Sequence, residues 1–379
     1  MDDFPAGPAS QGPRRPALSV VVPVRDGGAV LERCLRGLRS SRLVDFELIV
    51  VDDGSVDDSA ATAHRFDARV LRNAVPLGPA AARNAGAEAA TAPIVFFLDA
   101  DVVPHPEALA RALARLDADP GLAALFGSYD DNPAAPGLVS RFRNLLHHHV
   151  HQQGDFRDEA RPVHTFWTGC GAIRREVFLA LGGFDPQRYR RPAIEDIELG
   201  YRLQRAGHRV VLARDVLATH WKRWTLPGVV RTDIFQRGVP WTLLMLRSKV
   251  AETDLNVSRA QKLCVGLTGL TIVATAASLW EPASLLGAGA CVAGVVAINR
   301  GFYRFLAHRR GLAFAAACVP LHQLYFVCCG ISVVLALAIW HFPARPQSHP
   351  PGRLDGAEAP TARRPRAARI RRSSRGKRL

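Results

Sequence analysis

From residue 18 to residue 126 the sequence alternates short apolar runs with segments of helical periodicity. That alternation restricts the folds open to it. Leu18–Val24 is a near-continuous β-branched run ending around Pro23, the pattern of a strand buried on both faces. Residues 27–40 then place Val30, Leu31, Cys34, Leu35 and Leu38 at helical spacing. Phe46–Val51, Val70–Leu71, Pro93–Leu98 and Leu122–Phe126 read as further strands. The segments from about Asp57, Ala80–Ala92 and 106–117 read as helices between them. Such spacing predicts an α/β fold built from βαβ units, with helices on both faces of the sheet.

Sheets of this kind bind ligands beyond the carboxyl ends of their strands. Two of the predicted strands end in acids: Asp52-Asp53-Gly54-Ser55 after Val51, and Asp99-Ala100-Asp101 after Leu98. In an extended segment Asp99 and Asp101 point to one side. Two such carboxylates suit Mg2+ or Mn2+, ions that keep waters and bridge substrate phosphates. A solvated acidic loop is the plainer alternative. Asp52 or Asp53 could accept from a nucleobase N–H or a ribose hydroxyl, and an N-cap for the next helix explains the motif equally well. Arg83-Asn84 sits where a polar pair could reach a ligand. Glu195-Asp196 opens a predicted helix whose dipole keeps a carboxylate ionised, so Asp196 could serve as a general base. His147, His148, His149 and His151 read as a polar helix face.

The ordered set Val20-Val21-Val22-Pro23-Val24, Val51-Asp52-Asp53-Gly54-Ser55, Ala82-Arg83-Asn84-Ala85-Gly86, Leu98-Asp99-Ala100-Asp101, Gly182-Gly183-Phe184-Asp185 and Glu195-Asp196-Ile197-Glu198-Leu199 resembles family-2 glycosyltransferases over about residues 18–225. The resemblance implies a GT-A-type mixed, mostly parallel sheet and inverting transfer from a nucleotide-diphosphate sugar. It implies donor contacts at Pro23, Val24, Asp52, Asp53, Arg83, Asn84, Asp99, Ala100, Gly169 and Cys170. It also implies a metal at Asp101, Asp99 and His220, and catalysis by Asp196 with Glu195 beside it. The implied cofactor is Mg2+ or Mn2+. The Gln-x-x-Arg-Trp string of processive synthases is replaced by His220-Trp221-Lys222-Arg223-Trp224, which argues against processivity.

Beyond residue 250 the composition changes. Leu263–Trp280 and Ala283–Ile298 are uncharged, Arg300, Arg304, Arg309 and Arg310 cluster, and Leu312–Trp340 is again uncharged. Transmembrane helices are therefore expected at about 263–280, 283–299 and 316–340, two or three in all. The predicted organisation is a disordered leader over 1–17, the GT-A domain over 18–250, the membrane region over 251–341 and a basic disordered tail over 342–379. Trp221–Lys249, basic and aromatic, reads as an amphipathic interfacial stretch. The seven cysteines show no metal or disulfide spacing. Net charge is +15, and the tail carries eleven basic residues against Asp355 and Glu358. Membrane lipids are its expected partner and nucleic acid is not. Ala- and Arg-rich usage and the absence of an apolar leader suggest a bacterial inner-membrane protein, multi-pass, with a cytoplasmic catalytic domain. The expected acceptor is a lipid-linked or cell-envelope glycan. Three alternatives stay open: transfer to polyprenyl phosphate, a sugar-nucleotide-forming nucleotidyltransferase, and a non-enzymatic membrane scaffold with a lipid- or nucleic-acid-binding tail.

Overall fold

A computed structural model of the chain describes residues 15–43, 45–248 and 258–342. The strands are β1 (Leu18–Val24), β2 (Phe46–Asp52), β3 (Arg69–Arg72), β4 (Ile94–Leu98), β5 (Val102–Pro104), β6 (Leu122–Tyr129), β7 (Ala160–Pro162), β8 (Cys170–Arg174) and β9 (Arg209–His220). The helices are α1 (Gly28–Arg39), α2 (Ser59–His64), α3 (Pro79–Ala89), α4 (Ala108–Ala118), α5 (Leu138–His151), α6 (Arg175–Ala180), α7 (Glu195–Arg205) and α8 (Leu226–Arg231). A π-helical turn (Thr232–Gly238) leads to α9 (Val239–Ser248), then α10 (Arg259–Ala277), α11 (Ser284–Ile298), α12 (Arg300–Arg310) and α13 (Leu312–His341).

The sheet runs β3-β2-β1-β4-β8-β6-β9-β5, and β7 pairs the first half of β9. β1 to β4 are mutually parallel, as the βαβ pattern predicts. β8 then enters antiparallel between β4 and β6, which makes the sheet mixed. Alternate residues of β1 go to opposite layers. Val20 and Val22 join Leu31, Leu35 and Leu109 on one face, while Val21 joins Ile49, Phe97 and Phe178 on the other. α3 lies very close to the sheet at Gly86, where a Cβ would fall 2.3 Å from Val21 Cγ1.

α10 and α13 are each long and apolar enough to cross a membrane. α11 has 15 residues. That is about 22 Å of helix, short of the ~30 Å hydrocarbon thickness. It bends by 76° into α12, so the expected middle span is a broken one. The Arg cluster between the apolar stretches is part of a docked helix. Phe302, Tyr303 and Leu306 of α12 pack with Phe142 and Leu145 of α5. Arg309 pairs with Asp131, and Arg310 donates to Asn132 Oδ1 at 3.3 Å. α13 lies against the π turn and α9, where Cys328 and Ala336 bury Ile234 and Val239. Residues 1–14 of the leader, Lys249 and the basic tail from 343 lie outside the described residues.

Candidate functional site

The first ligand-facing frame is at the ends of β1 and β2. Their register sets Pro23 beside Val51 and Val24 beside Asp52, and Asp53 N–H donates to Val24 O at 2.8 Å. Four hydrogen bonds lock the two following loops together: Asp26 N–H to Ser55 Oγ, Gly27 N–H to Ser59 Oγ, Gly28 N–H to Asp57 Oδ2 and Val56 N–H to Asp26 Oδ1. Sequence reasoning did not place Asp26, Asp57 or Ser59 at the site. Asp52 and Asp53 are 0% and 5% exposed. Asp52 Oδ1 accepts from Ser55 N–H, and its Oδ2 lies 3.2 Å from Arg72 Nε. Asp53 accepts from Asn73 Nδ2, Leu77 N–H and Gly78 N–H, between 2.7 and 2.8 Å. With their oxygens turned into the protein, these acids shape the loops after β1 and β2 and fix the start of α3.

α3 carries Arg83 and Asn84. The Asn84 amide is engaged within the protein: Nδ2 donates to Phe184 O at 2.8 Å and Oδ1 accepts from Phe184 N–H at 2.9 Å. It holds the turn in which Gly183 has φ +65°, where a Cβ would lie 2.6 Å from Asn84 Oδ1. Asn84→Ala strands both amide groups of Phe184, which is 1% exposed. The expected loss is about 1–3 kcal/mol of unfolding free energy. Urea unfolding measures it, and a midpoint equal to the parent's would refute the assignment.

Arg83 is the hub. It is 6% exposed and donates through Nη2 to Asp99 Oδ1 (2.7 Å) and through Nη1 to Glu195 Oε1 (2.8 Å). It thus ties the end of β4 to the first residue of α7. Asp99-Ala100-Asp101 is not extended as expected: Val102 N–H donates to Asp99 O at 3.0 Å, closing a turn between β4 and β5. The two carboxylates therefore diverge. Asp99 turns to Arg83, while Asp101 Oδ2 sits 3.6 Å from His220 Nε2. The pairing of β5 with β9 brings this His into range, with Val102 opposite His220.

The His220 ring is buried, stacks on Tyr129 at 4.4 Å, and places Nδ1 2.8 Å from Asn144 Oδ1. With Nδ1 donating to that oxygen, Nε2 is the ring nitrogen turned towards Asp101. Burial pushes the Asp101 pKa up, but the His220 hydrogen bond and the charges of His220 and Lys222 outweigh it, so the carboxyl stays below its ordinary value. Because Asp99 is committed to Arg83, the expected three-residue metal set is not assembled. Among the described residues no group of three His, Cys, Asp or Glu side chains gathers to hold an ion.

Residues 167–169 connect the parts. Gly169 O accepts from Asp99 N–H at 3.4 Å, and Thr168 donates to Asp196 Oδ2 through N–H (3.2 Å) and Oγ1 (3.4 Å). The Trp167 ring meets Tyr129 edge-on at 4.9 Å, and Tyr129 carries His220. Cys170 is buried at the start of β8 opposite Leu98. Burial, then the charge of Asp99, pushes its thiol up to about 12, so it contributes as a neutral wall.

Asp196 is half-buried at the N-terminus of α7. Its pKa is pushed up to about 6 by burial and then by the Glu195 charge, against the opposing effect of Arg83. Glu195 itself is occupied by Arg83 and by Ala193 N–H (3.0 Å). The histidines of α5 are not a polar face. His147 and His151 pack around Trp167, and burial holds the His151 ring at about 3, hence neutral. His148 and His149 stack on Phe305 of α12.

Residues 19–182 match the model of glycosyl transferase family 2. The chain is 32% identical over 229 residues to validoxylamine A glucosyltransferase of Streptomyces hygroscopicus subsp. jinggangensis, covering 53% of this chain and 54% of that one. It is 32% identical over 237 residues to pre-mycofactocin glycosyltransferase of Mycobacterium tuberculosis, covering 60% and 47%. It therefore spans about half the length of these curated relatives. The mannosyltransferase PcManGT of Pyrobaculum calidifontis, solved with GDP-Man and Mn2+, superposes with a TM-score of 0.53 at 19% identity, covering 85% of this chain and 88% of that one. The sheet order and that superposition make the fold GT-A, and the segment carrying β1, the two acid turns and α3 is the one that matches glycosyl transferase family 2.

Proposed function

We propose that the chain transfers a sugar from a nucleoside-diphosphate donor to an acceptor hydroxyl in one inverting displacement. The observation that carries this reading is the Asp99–Arg83–Glu195 bridge. One buried guanidinium joins the acid turn after β4 to the helix end that carries Asp196. Because Glu195 is already paired, Asp196 is the carboxylate left to act as base. The acceptor O–H proton passes to Asp196. The oxygen's electron pair forms the new bond to C1 of the sugar, and the C1–O bond to the diphosphate breaks, its pair leaving on the nucleoside diphosphate. With a single displacement the anomeric centre inverts, and no carboxylate nucleophile is used.

A divalent ion fits Asp101 and His220 as a two-ligand site completed by substrate phosphate oxygens, the mode Mg2+ favours. Asn144 holds the imidazole in the tautomer that a metal needs. Bound there, Mg2+ or Mn2+ would offset charge on the departing diphosphate. PcManGT's GDP-Man and Mn2+ support this pairing of donor and ion. The two long apolar helices support attachment to a membrane.

The test is nucleotide release from UDP-, GDP- and dTDP-sugars with Mg2+ or Mn2+. Donor binding is read separately as a rise in melting temperature. Asp101→Asn is expected to lower kcat/KM by about 100-fold or more, several kcal/mol of charge stabilisation. It should also abolish the metal-dependent part of the melting shift. Turnover that survives without the metal, or in Asp101→Asn, would overturn the assignment.

A further inference from the structure

Asp196 borders a cavity of about 300 Å3 that donor chemistry does not account for. It opens between α5, α7, the π turn and the apolar helices α10 and α13. Val265 of α10 and Phe326 of α13 line it and also line a second depression, of about 330 Å3, so the two spaces adjoin at these side chains. The second is an apolar groove along the same helices, walled by Ile272 and Val334, with Gly269 and Gly330 leaving its floor low. The cavity's cations are not equivalent. Arg143 is neutralised by a buried pairing with Asp233. Arg237 and Lys262 also line the cavity, and neither has an ion-pair partner among the described residues. The two adjoining spaces thus offer a carboxylate, two cations with no ion-pair partner among the described residues, and an apolar track on helices long enough to sit in a bilayer.

We propose that this cavity and groove hold a lipid-linked acceptor: its hydrocarbon chain between α10 and α13, its phosphate at Arg237 and Lys262, and the hydroxyl to be glycosylated at Asp196. The inference rests on the sugar-transfer reading for the role of Asp196. The chain's placement rests on the groove and the cations alone. Two cations without an ion-pair partner among the described residues, beside an apolar track, recognise a phosphate on a hydrocarbon. A soluble glycan would leave the groove empty.

The full chain in phosphatidylcholine nanodiscs is photolabelled with a diazirine-bearing isoprenyl phosphate and, in parallel, with the same chain ending in a neutral alcohol. The phosphate probe is expected to label peptides containing Val265–Ile272 and Phe326–Val334. Arg237→Gln with Lys262→Gln should cut that labelling roughly tenfold, the scale set by removing charge-assisted hydrogen bonds to one phosphate. Gly330→Leu fills the groove without touching a charge and should also reduce it. Donor-nucleotide stabilisation of each variant reports its folding. Equal labelling by both probes, spread over outward residues such as Leu279 and Leu286 and indifferent to the substitutions, overturns the proposal. Groove labelling without any donor stabilisation would leave the lipid site standing and remove the sugar-transfer reading. Donor stabilisation without groove labelling would do the reverse.

Discussion

Asp196→Asn is expected to lower kcat by about 10²–10⁴-fold, the usual worth of a positioned general base. Donor-nucleotide binding should stay near the parent's, because Asp196 lies on the acceptor side of Arg83. Folding should change little, since two effects offset. The amide gives up one of the acceptors now serving Thr168 N–H and Ile197 N–H, a loss of about 1 kcal/mol. It also removes a carboxylate whose ionisation burial opposes. In the parent, kcat/KM should fall as pH drops through about 6, where Asp196 takes up the proton that disables it as a base. Burial is the first cause of that raised value and the Glu195 charge the second, so Glu195→Gln should move the acid limb to lower pH without abolishing it. An acid limb that stays put in Glu195→Gln would assign it to another group. The same substitution series separates hydroxyl from phosphate acceptors. A polyprenyl phosphate is already anionic, so Asp196→Asn would then cost less than about tenfold, below the range expected of a base.

The sequence announced those parts of the fold whose burial leaves a periodic trace. β1, β2 and β4 read as near-continuous apolar runs, broken only by Ser19 in β1 and Glu47 in β2 before its terminal Asp52, and α1 buries Leu31, Cys34, Leu35 and Leu38 on one stripe. The antiparallel β8 is five residues containing Gly171 and Cys170, too short and too small-sided to show a period. β5 is three residues ending in Pro104. The acid residues were legible, but their directions were not. The turn closed by Val102 N–H sends Asp99 to Arg83 and Asp101 to His220, partners 16 and 119 positions away. Asn84 lies in the motif that suggested a donor contact, yet its amide matches the backbone of Phe184 a hundred residues on. Histidine letters in α5 suggested a wet face, whereas neutral imidazoles fill an aromatic wall around Trp167. In each case the deciding contact is long-range, and local pattern does not encode it.

Arg83→Ala should be the most damaging single change to stability. The side chain is 6% exposed, and its charge is held by Asp99 and Glu195 against the opposing effect of burial. Its removal leaves the Glu195 carboxylate, 6% exposed, with only Ala193 N–H as partner. Breaking one side of a buried pair costs about 3–5 kcal/mol, which lowers the melting temperature by on the order of 10 °C. The pH dependence identifies the cause. Without Arg83 a buried carboxylate has lost its countercharge, so the penalty is that of an unpaired buried charge and is relieved where acid neutralises carboxylates. Arg83→Lys keeps the charge but lacks the planar fork that reaches two acids at once, so it should recover part of the stability. The double variant Arg83→Ala/Glu195→Gln should recover more, because it removes the stranded charge as well. The coupling between the two sites, read from the double-mutant cycle, should exceed about 1 kcal/mol for residues in direct contact. If Arg83→Ala unfolds like the parent at pH 7, or if its deficit is unchanged at pH 4, the guanidinium is not what joins the acid turn to α7, and the support for a shared donor and acceptor site goes with it.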